Sequence, residues 1–388
     1  MSKFCYFVFC FFIFQSLFFC QDIGRAKKNI DFLCSKKCYG RGYVKQGMGR
    51  AAKFLVRELC AAKLKPLNGN SYYQELEMGV NTFPGAISLS IDGKKLIPGK
   101  DFLVENSSRG LRGNFLLQKT DSNTYRAVDD KGNPHQLYLT RKKKLTWSAS
   151  QEQSGRTIFE LTENIFPTAA KEVRVNVNAE YVSNFKASNI CAKVIGTTCA
   201  DTFIVFSAHY DHLGGMGKKV YFPGANDNAS GVSMLLELAR HYGQSPGRYS
   251  VVFLLFCGEE AGLVGSKFFV ENPLIPLGQI KFLVNLDLLG TGDEGITVVN
   301  ATEYKSAFDE LVEINNRKNL LAQIKPRGKA ANSDHYWFSE RGVPSFFLYT
   351  MGGIKAYHDI YDVPRTLPLN RFSEVFQLLT EFIRWLGH

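Results

Sequence analysis

Four short apolar runs, Phe203–Phe206, Val251–Phe256, Phe282–Leu286 and Val343–Tyr349, constrain the fold of this chain more than any other feature. Each is nearly continuous rather than alternating, which suits a strand covered on both faces. Helical patterns lie between and after them. Leu235, Leu238, Ala239 and Tyr242 share one face; so do Phe308, Leu311, Val312 and Asn315; and so do Leu369, Phe372, Phe376, Leu379, Ile383 and Leu386. Strands alternating with helices predict an α/β fold, a mostly parallel mixed sheet sandwiched by helices.

At 388 residues the chain has room for one large α/β domain and a smaller insert. Ala52, Leu55, Val56 and Leu59 recur at helical spacing within residues 48–62. The character changes over 78–185. Runs such as Ile87–Ile91 alternate there, and turn signals such as Asp92-Gly93 and Lys131-Gly132-Asn133-Pro134 separate them. This stretch is expected to be a β-rich inserted domain without a cluster of chemically useful residues. The expected division is therefore 1–20 as a signal peptide, 21–77 as the N-terminal helical part of the main domain, 78–185 as the insert and 186–388 as the rest of the main domain.

The signal peptide is read from Lys3, the apolar run Phe4–Phe19, and the polar exit at Gln21-Asp22. The run is shorter than the roughly 18–20 residues of a comfortable membrane span, so no stable span is expected. A secreted or periplasmic protein follows, with Cys20 as a candidate lipid anchor. Cys191 and Cys199 bracket Val194-Ile195-Gly196-Thr197, which reads as a hairpin and makes them the best candidate disulfide pair. No Cys-x-x-Cys pair exists, which disfavours a cysteine zinc site. The net charge is +11, but its one tight run, Arg141–Lys144, reads as a solvated turn, and no nucleic-acid motif accompanies it. No nucleic-acid partner is expected, and oligomeric state is not legible.

Ligands of open α/β sheets bind beyond the carboxyl ends of the strands. Each expected strand here is followed by chemistry: His209-Tyr210-Asp211-His212, Gly258-Glu259-Glu260, Asp287, and Tyr357-His358-Asp359 after a Gly-rich turn. Asp227 sits in Pro223–Gly231, a tight loop feeding a helix. Taken singly, each has an ordinary explanation. Asp227 could cap a helix, and Glu259-Glu260 could open one. Taken together, five segments bring His or carboxylate groups to one edge. His and carboxylate donors without thiolates suit a catalytic zinc site. One carboxylate shared between two ions would hold them about 3.5–4 Å apart, the spacing of two-metal hydrolases.

His209-Tyr210-Asp211, Gly224–Gly231, Gly258-Glu259-Glu260, Asn285-Leu286-Asp287 and Tyr357-His358, with Ser333-Asp334-His335 and Gly342-Val343-Pro344, resemble the motifs of the co-catalytic zinc aminopeptidases (peptidase family M twenty-eight), which include bacterial leucyl aminopeptidase and aminopeptidase Y. The resemblance covers about 186–388. It implies a two-zinc metallopeptidase acting on the N-termini of peptides. It further implies that Asp227 bridges both zincs, that Glu260 and His358 complete one and His209 and Asp287 the other, and that Glu259 is the general base. Asp211 would orient His209 by accepting its second ring proton, and the Asp227–Asn228 peptide would be cis. Competing readings are a single-zinc glutaminyl-cyclase-like acyltransferase, a non-catalytic ectodomain, and a carboxypeptidase or dipeptidase. The last needs a cation for the substrate carboxylate, for which Arg327, Lys329, Arg341 and Lys355 are available.

Overall fold

The four apolar runs form four adjacent parallel strands, in the spatial order Tyr249–Phe256, Cys199–His209, Ile280–Leu286 and Ser345–Thr350. The structure is a computed structural model that describes residues 21–387; the expected signal peptide and Cys20 lie outside them. The continuous apolar character has a direct cause. Ile204, Phe206, Phe253 and Val284 point into one core with the helices Ile23–Leu33, Gly47–Ala61, Gly231–Gln244 and Phe372–Leu386. Val205, Val252, Leu254 and Leu283 point into another, closed by Phe269 and Phe338 of the short helices Val264–Glu271 and His335–Glu340. Neither face meets water, so no polar alternation is possible.

Antiparallel strands flank the parallel group. Glu180–Val194 pairs with Tyr249–Phe256, and Ile296–Val299 with Ser345–Thr350, which makes a mixed nine-stranded sheet. The last helix shows why its pattern was legible. Phe372, Val375, Phe376, Leu379, Phe382, Ile383 and Leu386 recur three or four apart and are all buried. Leu369 falls outside that helix, in a left-handed conformation with φ of 54°.

Residues 87–177 build a second, eight-stranded sheet with its own core, which includes Leu89, Phe102, Tyr125, Leu137, Phe159 and Val175. The long strands Tyr73–Thr82 and Glu180–Val194 lead to it and back while paired with each other in the main sheet. The expected insert boundaries at 78 and 185 thus fall inside strands of the main sheet.

One expectation is overturned. The segment between Cys191 and Cys199 is not a hairpin, because Tyr249–Phe256 lies between the two strands and pairs with both. Cys191 registers with Leu254 and Cys199 with Tyr249. Two strand spacings and five residues of offset put the Cα atoms roughly 19 Å apart, beyond the ~7 Å limit of a disulfide. Both thiols are free. Alkylation of the denatured, unreduced protein followed by peptide mass spectrometry is expected to find both residues modified; a linked Cys191–Cys199 peptide would contradict the strand order.

Candidate metal centre

The carboxyl edge of the parallel strands gathers the charged residues. His209 ends its strand, Glu259 and Glu260 follow Phe256 by a short turn, and Asp287 directly follows Leu286. His358 comes from the loop after Thr350, with a left-handed φ of 53°. With Asp227, these residues line one cleft of about 550 Å³, together with Leu263, Leu288, Phe347, Tyr349, Tyr357 and Arg327. Ligand atoms of His209, Glu259 and Asp287 lie within 4.8 Å of one another, and so do those of His209, Asp227 and Glu260.

The two oxygens of Asp227 have different nearest histidines, although Oδ1 also lies 3.8 Å from His212 Nδ1. Oδ1 is 3.4 Å from His209 Nε2, and that nitrogen is also 3.4 Å from Asp287 Oδ2. Oδ2 is 3.0 Å from His358 Nε2, which is in turn 3.3 Å from Glu260 Oε2. Glu259 Oε2 stands further back, 3.9 Å from His209 Nε2.

Asp211 does something other than expected. The group nearest His209 Nδ1 is the Asp211 main-chain carbonyl at 3.3 Å, with the carboxylate at 3.9 Å. The carboxylate instead accepts from the Tyr43 hydroxyl (3.1 Å) and from the backbone N–H groups of Glu259 (3.2 Å) and Glu260 (3.4 Å). It fixes the turn that presents both glutamates, while its peptide oxygen meets the histidine.

The Asp227 loop is held from two sides by residues the sequence did not flag. Arg41, fully buried, donates to the carbonyls of Tyr210 (2.9 Å), Pro223 (2.7 Å), Gly224 (2.9 Å) and Asp227 (3.2 Å). The Asp362 carboxylate accepts the N–H groups of Asn226 (2.9 Å) and Asp227 (3.1 Å). Gly224 has φ of 63°, and a Cβ there would collide with the Asp227 carbonyl and the His212 ring. The Asp227–Asn228 peptide is cis. His212, also unassigned from sequence, is buried with Nδ1 2.5 Å from Glu260 Oε1. Its only sequence signal was a second histidine three residues after the first.

The insert also reaches the site, although its sequence carried no such sign. Ser148 lines the cleft, the Trp147 N–H donates to the His358 carbonyl (2.8 Å), and Lys144 pairs with Asp359 (3.3 Å). Tyr357, half exposed, stacks on the His358 ring with centroids 3.9 Å apart.

Electrostatically the centre is short of positive charge. Burial pushes the carboxyls of Glu259 and Glu260 well above their usual range, and those of Asp211 and Asp287 upward as well. Asp334, fully buried behind Asp287, is pushed up to about 7 by the same cause. Asp227 is the exception. Burial would raise it, but the hydrogen bond from His358 and the charges of His212, His209 and His358 hold it low. Burial opposes charge on His209 too, yet Glu259, Asp287 and Asp227 outweigh it and raise its pKa well above normal. Among the described residues, Asp287 Oδ1 and His212 Nε2 are buried without a hydrogen-bond partner. A buried excess of hard oxygen donors with imidazole nitrogens, some unpartnered, fits divalent cations.

The model of peptidase family M28 matches residues 189–383, just over half of the chain. The chain belongs to peptidase family M28. This member is 36% identical over 114 residues to a probable zinc metalloprotease of Pyricularia oryzae, covering 28% of this chain and 23% of that protein. It is 30% identical over 147 residues to aminopeptidase YwaD of Bacillus subtilis, covering 37% and 30%. The matched stretches thus span about a quarter to a third of these curated relatives. Among solved structures, BSAP, a zinc aminopeptidase from Bacillus subtilis, superposes with a TM-score of 0.70 at 19% identity, over 93% of this chain and 94% of that one. An aminopeptidase from Aneurinibacillus sp. strain AM-1 gives 0.65 at 18%, over 95% and 94%. At these identities the likeness is one of fold, and it takes in nearly the whole M28 chain. Among the described residues no helix is long and apolar enough to cross a membrane.

Arg41→Met tests the clamp on the Asp227 loop. Removing a charged donor from several buried carbonyls is expected to cost about 3 kcal/mol or more. Urea unfolding measures it; a loss near zero would mean that the loop holds its shape without Arg41.

Proposed function

We propose that this M28 member is a metallo-exopeptidase that removes N-terminal residues from peptides, with two zinc ions sharing Asp227. The observation that carries the reading is that the two Asp227 oxygens have different nearest histidines, one His209 with Asp287 beside it and the other His358 with Glu260 beside it. Those two groups are the ligand sets we assign to the two ions. Proximity alone would also admit Glu259 as a ligand, since it groups with His209 and Asp287. Its greater distance from His209 Nε2 leaves it free for proton transfer.

Zinc ions bound there would supply Lewis acidity toward the scissile carbonyl and the attacking water. The residues do the rest. Glu259 accepts the water proton at a carboxylate oxygen and returns it to the departing amine. Asp211 holds the Glu259 backbone, so the base is aimed from a fixed turn. Tyr357, its phenol kept protonated chiefly by burial, offers a hydrogen-bond donor at the cleft wall. Relatives bearing the names zinc metalloprotease and aminopeptidase support the same chemistry. The single-zinc cyclase reading is not favoured, because His209 and Asp287 stand ready as a second ligand set. We keep export, from the residue 1–20 pattern, as part of the proposal.

A carboxypeptidase or dipeptidase reading has one observation in its favour. Arg327, of the four cations available in the sequence, lines the cleft, and among the described residues its side chain donates to the Tyr349 hydroxyl (3.3 Å) without a carboxylate partner. Lys329, by contrast, is paired with Glu340 at 2.5 Å.

Glu259→Gln is expected to keep two zinc ions per chain by elemental analysis while kcat falls roughly 10²- to 10⁴-fold. Near-normal turnover would remove Glu259 from the role of base. His209→Ala and Asp287→Ala should each lower the metal content toward one. Comparing a free dipeptide with its C-terminal amide separates the exopeptidase classes. Aminopeptidase action requires both to be cleaved; loss of the amide alone, together with a raised KM for Arg327→Met on the free acid, would establish the carboxylate-dependent reading instead.

A further inference from the structure

A second concavity lies away from the metal centre, where the open face of the insert's sheet meets the small hairpin Gly215–Met216/Val220–Tyr221. Its volume is about 680 Å³. Its charged lining residues are Lys95, Arg112, Arg174, Lys218 and Lys219, with no acid among them. Among the described residues none of the five side chains pairs with a carboxylate or donates to a protein acceptor, whereas Arg41 and Lys142 have such partners.

Strand register orders these groups. Lys95, Ser90, Arg174 and Asn114 lie side by side across four strands, and Ser88, Asn176 and Arg112 form the next row. Between them Leu89, Val173, Val175 and Val177 point the other way into the core, so the polar face cannot turn inward. Neighbouring strands are about 4.8 Å apart and successive rows about 7 Å, so cationic and neutral donors interleave at the spacing of oxygens on adjacent phosphate or sulfate groups. The opposite wall is fixed. The Gly217 N–H donates to Phe83 (2.8 Å), the Tyr39 hydroxyl donates to Gly217 (3.0 Å), and Lys45 binds the Lys218 carbonyl (3.2 Å) and brings a further cation alongside. Glu172, two residues before Arg174 on the same exposed face, lines a separate depression with Asp129, Asp130 and His135.

We infer that this cleft binds a ligand carrying several clustered phosphate or sulfate groups. The inference is independent of the proposed peptidase reaction, and it gives the insert a binding role that its sequence did not announce. Clustered oxyanions of this kind occur on soluble polyanions and on anionic lipid headgroups, and the test separates the two.

Isothermal titration with inositol hexakisphosphate and co-sedimentation with phosphatidylcholine vesicles, with and without a phosphatidylinositol bisphosphate, are run on the full chain at about 0.15 M salt. Binding of the soluble probe or of the anionic vesicles is expected, and whichever binds identifies the source. Arg112→Ser combined with Arg174→Ser, both exposed, should weaken it roughly tenfold or more at an unchanged melting temperature. Lys36→Ser combined with Lys37→Ser, an equal charge loss elsewhere, should leave it unchanged. The proposal is overturned if neither probe binds, if both double variants weaken binding equally, or if an oligoglutamate of matched charge competes as well as the soluble probe. All readouts are of binding, so loss of peptidase activity would leave them intact.

Discussion

The structure depends on a local excess of buried negative charge. Asp211, Asp227, Glu259, Glu260, Asp287 and Asp334 converge on one edge of the sheet, with His209, His212 and His358 as their partners. No lysine or arginine side chain among the described residues forms an ion pair with any of them. Carboxylates so placed must hold protons or bind cations, because isolated burial of charge is prohibitive. The directions of the titration shifts follow: most of these carboxyls rise through desolvation, and Asp227, where the histidines converge, falls.

Keeping such a cluster in register requires rigid backbone around it. Asp227 sits on a loop, and loops are where precision is hardest to hold. Here Arg41 takes the loop's carbonyls and Asp362 its N–H groups, so both polar sides of the backbone are satisfied by opposite charges from distant segments. Asp211 performs the same service for the Glu259-Glu260 turn, and Trp147 of the insert for His358. The insert therefore bears on both functions considered, supporting the metal-site loop on one side and carrying an unpaired basic face on another.

Much of this was legible because it is local. Buried strands announce themselves by continuous apolar runs, and residues at their carboxyl ends share an edge whatever the details of packing. His209, Glu259, Glu260 and Asp287 were found that way, and Asp227 by the glycine-rich turn before its helix. The failures have equally physical causes. The Cys191–Cys199 stretch looked like a hairpin because two extended runs met at a glycine; nothing nearby reveals that a strand some fifty residues later inserts between them. The Asp211 carboxylate turned from His209 to the Glu259 and Glu260 amides because those donors arrive from another strand.

The sequence by itself determined the two-sided sheet, the kinds of donor at its edge and membership in a metallopeptidase-like pattern, since each follows from residue type and short-range period. Tertiary structure decided which oxygen of Asp227 faces which histidine, that Arg41 and Asp362 hold its loop, and that arginines and lysines from separate strands form one cleft. Many of those contacts join residues far apart in the chain, 183 positions for Arg41 and Gly224 and 136 for Asn226 and Asp362, and their partners are chosen by packing, which leaves no periodic trace in the order of amino acids.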